Sequence, residues 1–376
     1  MRIAQIAPLY EDVPPRTYGG TERVIAALCD ALIARGHDVT LFATGTSRTA
    51  ARLEAVVGAA LRARMDPGEM ADVGTHLHLR MLADVYRRAP DFDIVHSHID
   101  LLTLPFVETS ATPTVLTMHG RLDTSAVQRV LPMYPGAPLV SISDDQRRPV
   151  EGLPVDWVAT VPNGLDLSAY HQQGRGTDRY LAFVGRVAPE KRPDLAVEVA
   201  RRTGWPLRVA AKIDPVDVGY HQRVIEPLFD SSEVEYVGEL GEEAKPSFYA
   251  DAAATLFPSD WPEPFGLVMI ESLAAGTPVI ALRRGAVPEV LEHGVSGFVC
   301  DDVTEMVAAV ARLGEIDPAA CRHRANQFDV ERMCAGYEMV YDALVLSAEI
   351  GPFGRLRADR TDHTASLAQF GRGGGI

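Results

Sequence analysis

The sequence predicts an α/β protein made of two doubly wound, parallel-sheet domains. Three observations carry that prediction. Short apolar runs alternate with stretches of helical periodicity. The alternation breaks once, at the polar stretch His171-Gln-Gln-Gly-Arg-Gly-Thr-Asp178, and then starts again. The chain has 376 residues, and a domain holds about 100–200. A chain of this length buries a large core without disulfide or metal staples. Hydrophobic residues make up 47% and aromatics only 7%, so aliphatic side chains supply the core, as buried parallel strands require.

The elements follow in order. Arg2–Ala7 is a short apolar run ending at Pro8, a strand. Thr21–Arg35 places Val24, Ile25, Leu28, Leu32 and Ile33 on one helical face. Gly36 ends that helix, and Asp38–Ala43 is the next strand. Ile94–His96, Thr114–Met118, Leu139–Ile142 and Val158–Val161 read as further buried strands. The polar stretch at 171–178 is the linker. Beyond it come a strand at Tyr180–Val184, a helix at Pro193–Thr203, and strands at Leu207–Ala211, Val234–Val237, Thr255–Phe257 and Val279–Ala281. Strand, helix and strand with short connections mark βαβ units. Glu331–Ala348 is a final helix carrying Met333, Tyr337, Val340, Tyr341 and Leu344. The expected organisation is a first domain over 1–174, a second over 175–330, a C-terminal helix over 331–350 and a disordered tail over 351–376, rich in Arg, Asp and Gly.

Composition narrows the function. The formal net charge is −15, which argues against nucleic acid as a partner and against broad docking on anionic lipid. The lysines are Lys191, Lys212 and Lys245, against a background of arginine. Where codon usage favours Arg, a retained Lys marks a place where a compact ammonium binds a phosphate or sugar oxygen; Lys191 and Lys212 fit that reading better than Lys245, which lies in a polar run. Cys29, Cys300, Cys321 and Cys334 are scattered, which is neither a disulfide framework nor a zinc pattern. The N-terminus lacks the apolar core of a signal peptide, and no apolar run reaches membrane-spanning length. The expected location is the cytoplasm. Leu61–Arg88 carries several arginines and reads as a solvated helical face, with an acceptor-site wall or a peripheral membrane contact as alternatives.

Four segments can carry chemistry. Gly185-Arg186-Val-Ala-Pro-Glu-Lys191 follows a strand and precedes a helix, the address at which open α/β sheets bind ligands. Two cations beside free helix N–H groups suit a diphosphate; the alternative is that Arg186 and Lys191 pair with Glu190 or Asp194. Prolines keep 257–264 from being helical throughout, whereas 266–276 can be a helix. Glu263 then sits at a helix entrance and Glu271 about one and a half turns in. Both can accept bonds from sugar and ribose hydroxyls; the alternatives are a helix-dipole partner and a solvated helix residue. Tyr18-Gly-Gly-Thr-Glu22 opens the first helix, and paired glycines let backbone approach a ligand; Thr21 as a simple cap is the alternative. His119 lies just past a strand end, with a structural histidine as its alternative. His76/His78 and His96/His98 have strand spacing and read as structural, since neither pair has the partners of a metal site.

Together these segments resemble glycosyltransferase family 4, retaining enzymes of the GT-B fold. The resemblance rests on Gly-Gly-Thr-Glu (19–22), Met-His-Gly (118–120), Val-Pro-Asn-Gly-Leu-Asp (161–166), Phe-Val-Gly-Arg with Pro-Glu-Lys (183–191), Tyr-Val-Gly (236–238), Glu263 and Glu271, Ala-Ala-Gly-Thr-Pro-Val-Ile-Ala (274–281) and Gly-Ala-Val-Pro-Glu (285–289), in order from residue 1 to about 345. It implies two Rossmann-like domains facing across a cleft, with the last helix crossing back onto the first. It implies Arg186 and Lys191 on the donor diphosphate, Glu263 on the donor sugar and Glu271 on the ribose. Backbone contacts are implied at Phe265, Gly266 and Leu267, and His119 is implied beside the anomeric centre. Gly20 is expected near the diphosphate and acceptor, and Val237 near the nucleobase. The implied reaction moves a hexose with retention from a nucleotide sugar, UDP-glucose being preferred over GDP-mannose, to an unassigned acceptor hydroxyl on a small molecule, glycan or lipid. No metal and no cofactor are expected. Two alternatives stand: a sugar-nucleotide epimerase or phosphorylase of similar fold, and a non-catalytic nucleotide-sugar-binding module. Oligomeric state carries no signal in the sequence.

Overall fold

A computed structural model describes residues 1–16, 19–170, 179–230 and 232–350. The predicted linker at 171–178, the predicted tail at 351–376 and Tyr18 lie outside the described residues. Two parallel sheets organise the chain. The first contains β1 (Arg2–Ile6), β2 (Asp38–Thr44), β3 (Arg52–Val57), β4 (Ile94–Ser97), β5 (Thr114–Thr117), β6 (Pro138–Ser141) and β7 (Asp156–Thr160), in the order β3-β2-β1-β4-β5-β6-β7. The second contains β8 (Tyr180–Arg186), β9 (Leu207–Lys212), β10 (Val234–Gly238), β11 (Ala252–Phe257), β12 (Val279–Leu282) and β13 (Gly297–Cys300), in the order β10-β9-β8-β11-β12-β13. Strand order reverses between β1 and β4 and again between β8 and β11. A crevice opens at such a point, because the connections on either side leave to opposite faces.

Burial explains the strand sequences. Every residue of β11 and β12 is buried, since helices cover both faces of the sheet. β3 and β13 add one strand to each predicted sheet. β3 is an exposed edge with Arg52 and Glu54 in it, so its sequence lacks an apolar run. β13 is four residues long and ends at Cys300.

Five longer helices position the site: α1 (Gly20–Ala34), α2 (Pro67–Arg87), α3 (Pro193–Thr203), α4 (Leu267–Ala274) and α5 (Val330–Ile350). α1 begins at Gly20, with Gly19 in the cap position and no side-chain cap, so Thr21 is inside the first turn and is not the cap. In α2 the Asp66 carboxylate accepts from the N–H groups of Gly68 and Glu69 at 2.8 and 2.9 Å. His76 and His78 lie on α2, which corrects the strand-spaced reading. Residues two apart on a helix do not share a face: His76 is exposed, while His78 is buried and accepts from Leu9 N–H through Nε2 at 2.9 Å. α5 follows the second sheet in sequence and packs on the first. It buries Met333, Cys334, Tyr337, Val340 and Tyr341, and Glu338 pairs with Arg35 at 2.7 Å. The chain enters α5 past Gly164, where a Cβ would stand 2.4 Å from the Asp329 carbonyl oxygen. Only glycine permits that approach.

Candidate active site

A cavity of about 480 Å³ lies between the carboxyl ends of the two sheets. One wall comes from α1 and the loops after β1, β4 and β5. The other comes from the loops after β8, β10 and β11, the end of β9, and α4. His119, Glu263, Arg186, Lys191, Gly20, Phe265, Gly266, Leu267 and Glu271 all line it. Val237 is not among the lining residues; it packs against the small cluster of Tyr180, Ala182, Ala210, Phe248 and Ala252. Glu239 and Leu240, just past the end of β10, line the cavity instead.

The second-sheet wall is built around two carboxylates, each held by its own cations. Glu263 pairs with Lys191 and accepts from Trp261 Nε1 at 2.6 Å. The Lys191 ammonium sits 4.8 Å from the Trp261 ring, a cation–π contact that fixes it further. Gly285 shapes the Glu263 loop: its φ is +54°, and a Cβ there would meet the Glu263 backbone N and O at 2.3 Å. Glu271 is 1% exposed, so it is not a solvated helix residue. It pairs with Arg23, with Lys245 at 3.7 Å, and accepts from Tyr249 Oη at 2.8 Å and Tyr170 Oη at 3.3 Å. Burial alone would raise its pKa; Arg23 and Lys245 more than offset that and bring it to about 2. Arg186 pairs with Glu190, as the alternative reading of the sequence has it, and also lies 3.2 Å from Asp217. Lys191 pairs with neither Glu190 nor Asp194 but across the loop with Glu263.

The first-sheet wall carries groups whose charged forms burial disfavours. The His119 imidazole is brought down to about 4 by desolvation. Its Nε2 lies 2.8 Å from Nδ1 of His98. His98 therefore belongs to the cavity wall, whereas its strand spacing from His96 read only as structural. Glu22 is pushed up to about 7 and Asp100 to about 6, both chiefly by burial. Sequence reasoning also passed over Arg23 and Trp261. Arg23 is next to the Gly-Gly-Thr-Glu segment, and Trp261 lies within the proline-rich loop. All three lysines of the chain line the cavity, Lys245 included. The scarcity of lysine was a stronger signal than the polar surroundings of Lys245 suggested.

Known proteins resemble the chain along most of its length. Residues 18–169 match the family described as Glycosyltransferase Family 4, and residues 170–327 match Glycosyl transferases group 1. The phosphatidyl-myo-inositol mannosyltransferase of Mycolicibacterium smegmatis (strain ATCC 700084 / mc(2)155) is 26% identical over 383 residues, covering 92% of this chain and 94% of that protein. The glycogen synthase of Mycobacterium tuberculosis (strain CDC 1551 / Oshkosh) is 27% identical over 404 residues, covering 91% of this chain and 94% of that one. The crystal structure of AviGT4, a glycosyltransferase involved in Avilamycin A biosynthesis, matches at 26% identity with a TM-score of 0.65, covering 92% of this chain and 98% of its own. Two facing parallel sheets and these neighbours make the fold GT-B. The chain is a glycosyltransferase and belongs to glycosyltransferase family 4.

Proposed function

We propose that this enzyme moves a hexose with retention from a nucleoside-diphosphate sugar, UDP-glucose in preference to GDP-mannose, to an acceptor hydroxyl without a metal. The observation that carries the reading is the second-sheet wall, where Lys191–Glu263 and Arg23–Glu271 stand side by side in one cavity. The donor diphosphate takes Lys191 and Arg186, which releases Glu263 for the sugar hydroxyls. Glu271 keeps room for the ribose. A carboxylate has about four acceptor positions, and Arg23, Tyr170 and Tyr249 occupy three. The nucleobase sits at the end of β10, beside Glu239 and Leu240. Residues 1–174 supply the acceptor side and 175–330 the donor side.

Cleaving a glycosyl–phosphate bond places negative charge on the leaving diphosphate and positive charge on the sugar. Fixed cations stabilise the first. A neutral His119 avoids opposing the second. Retention is read as front-face attack in which a donor phosphate oxygen takes the acceptor proton. Two features support that reading. Glu263 and Glu271 are tied to cations, and burial favours the protonated form of Glu22 and Asp100 on the opposite wall. The two carboxylates of the second-sheet wall are thus engaged, and burial makes Glu22 and Asp100 poorer sources of the ionised nucleophile a covalent intermediate needs. The four cysteines are buried thiols, in keeping with a cytoplasmic enzyme.

The test is incubation with UDP-glucose and GDP-mannose, with and without hydroxyl acceptors, reading the anomeric configuration of the product by NMR. An inverted product overturns retention, an epimerised donor overturns transfer, and tight binding with no turnover overturns catalysis. Turnover should survive EDTA. Lys191→Ala and Arg186→Ala should each weaken nucleoside-diphosphate binding by roughly 1.5–3 kcal/mol while the fold stays intact. Unchanged affinity in both variants would sink the diphosphate assignment.

A further inference from the structure

A buried chain of hydrogen bonds joins the C-terminal helix to the cavity wall. His119 Nε2 lies 2.8 Å from His98 Nδ1. His98 Nε2 lies 2.9 Å from the amide oxygen of Gln5, whose amide nitrogen lies 3.0 Å from Tyr341 Oη. Tyr341 Oη lies 2.6 Å from His96 Nδ1, and His96 Nε2 lies 2.7 Å from Thr117 Oγ1. Gln5, His96, Thr117 and Tyr341 are 0% exposed and His98 is 2% exposed. No step of glycosyl transfer as described above uses Gln5 or Tyr341.

The direction of this chain follows from the chemistry of its members. Burial holds His96, His98 and His119 well toward the neutral form. A neutral imidazole has one N–H donor and one acceptor nitrogen, so a direction set at one link is set at all of them. Gln5 sets it. Its amide oxygen can only accept, so His98 carries its hydrogen on Nε2 and offers a lone pair at Nδ1. His119 must then donate to it from Nε2. On the other side the Gln5 NH₂ donates to Tyr341, which turns the phenol hydrogen onto His96 Nδ1, and His96 donates onward to Thr117. The amide orientation, oxygen toward His98 and nitrogen toward Tyr341, gives the chain this direction; a turned amide would reverse every link, because the Tyr341 phenol can donate as well as accept.

We propose that Tyr341 and Gln5 are positioning residues that lock His119 in the Nε2–H tautomer and leave its Nδ1 as a hydrogen-bond acceptor open to the cavity. Among the described residues Nδ1 makes no hydrogen bond, and His119 lines the cavity. An uncharged acceptor at that place takes the hydrogen of a donor-sugar hydroxyl and does not repel positive charge at the anomeric carbon; this use of the lock rests on the proposed function. The lock also makes the docking of α5, which follows the second sheet in sequence, a condition for an ordered His119 on the first-sheet wall.

The test uses the full chain labelled with ¹⁵N-histidine and long-range proton–nitrogen spectra at neutral pH, which show the ring nitrogen that carries the hydrogen. In the wild type, His119 is expected as a single Nε2–H tautomer. In Tyr341→Phe it should populate both tautomers. The kcat should fall about two- to tenfold, following the lost fraction of the competent form, with the donor KM nearly unchanged. Tyr337→Phe removes a second buried phenol from the same helix, one that meets Thr117 at 2.9 Å. It should leave the His119 nitrogen signals in place. A wild-type hydrogen on Nδ1, unchanged signals in Tyr341→Phe, or equal shifts in the two variants overturns the proposal. The spectra need no substrate. A locked tautomer in a protein that transfers no sugar would therefore count against the proposed reaction and not against the lock.

Discussion

Glu263 and Glu271 share a residue type, a cavity wall and a cationic partner, yet their surroundings give them different work. Glu263 meets a lysine and an indole at a loop tip, from which a ligand can displace the ammonium. Glu271 is enclosed by Arg23, Lys245, Tyr170 and Tyr249, so it also holds the structure together. Its carboxyl titrates near 2 in the folded protein against 4.5 when unperturbed. The unfolded chain therefore binds more protons in that window, and stability from this group is complete above 4.5 and lost as pH falls toward 2. Glu271→Gln should cost on the order of 3 kcal/mol at neutral pH. That deficit should shrink toward zero near pH 2, where the wild-type carboxyl is also neutral. Denaturant titrations of both proteins at several pH values would show it, and a deficit that stays constant with pH would remove the ion pairs as its cause. The position of Glu271 about one and a half turns into a helix was legible from the prolines before it and the glycine at 266. Its burial was not, because Tyr170 and Tyr249 come from distant parts of the chain.

At the scale of the element, the loop after β11 shows how little regular structure a site needs. Residues between Phe257 and α4 are held by a few contacts: Ala286 N–H to the Glu263 carbonyl at 2.9 Å, Asp260 N–H to the Glu190 carbonyl at 2.9 Å, and the close approach at Gly285. Gly285→Ala puts a methyl into the Glu263 backbone at a φ that L-residues disfavour, costing about 1–3 kcal/mol of strain. It should reduce sugar transfer about 100-fold, the effect of a misplacement near 1 Å, while the nucleoside-diphosphate binding proposed for Arg186 and Lys191 largely survives. Equal loss of both, measured by turnover and by calorimetry, would remove Glu263 as the sugar-facing residue. The elements that were legible have apolar runs long enough to show a period. β1, α1, α3 and β8 are of that kind, and the predicted ranges meet the observed ones within a residue or two. β3 hid behind Arg52 and Glu54 because an edge strand has only half a core to face. The His76/His78 spacing misled because a period of two occurs by chance within a helix.

At the scale of the molecule, the site exists only because two sheets face each other, and what joins them is invisible to local pattern. Glu289 accepts from the N–H groups of Asp144 and Asp145 at 2.8 and 2.7 Å. Ser143 Oγ donates to the Pro264 carbonyl at 2.7 Å. Arg23 of α1 reaches Glu271 of α4. Sequence order could place each sheet, since the restart after residue 178 repeats the same strand logic. It could not place Glu289, 144 residues from its partner Asp145, although the Gly-Ala-Val-Pro-Glu segment that carries it was part of the family resemblance. These contacts hold the first-sheet wall at a set distance from the second-sheet wall, so on the proposed reading they act on binding before chemistry. Glu289→Ala should leave each sheet folded but loosen their spacing. The expected result is a rise of about fivefold in donor KM, roughly 1 kcal/mol of lost positioning, with kcat nearly unchanged. Steady-state kinetics at saturating acceptor would measure it. A fall in kcat at constant KM would instead place the contribution of Glu289 in the reacting geometry, and the latch would then belong to the catalytic step and not to the assembly of the cleft.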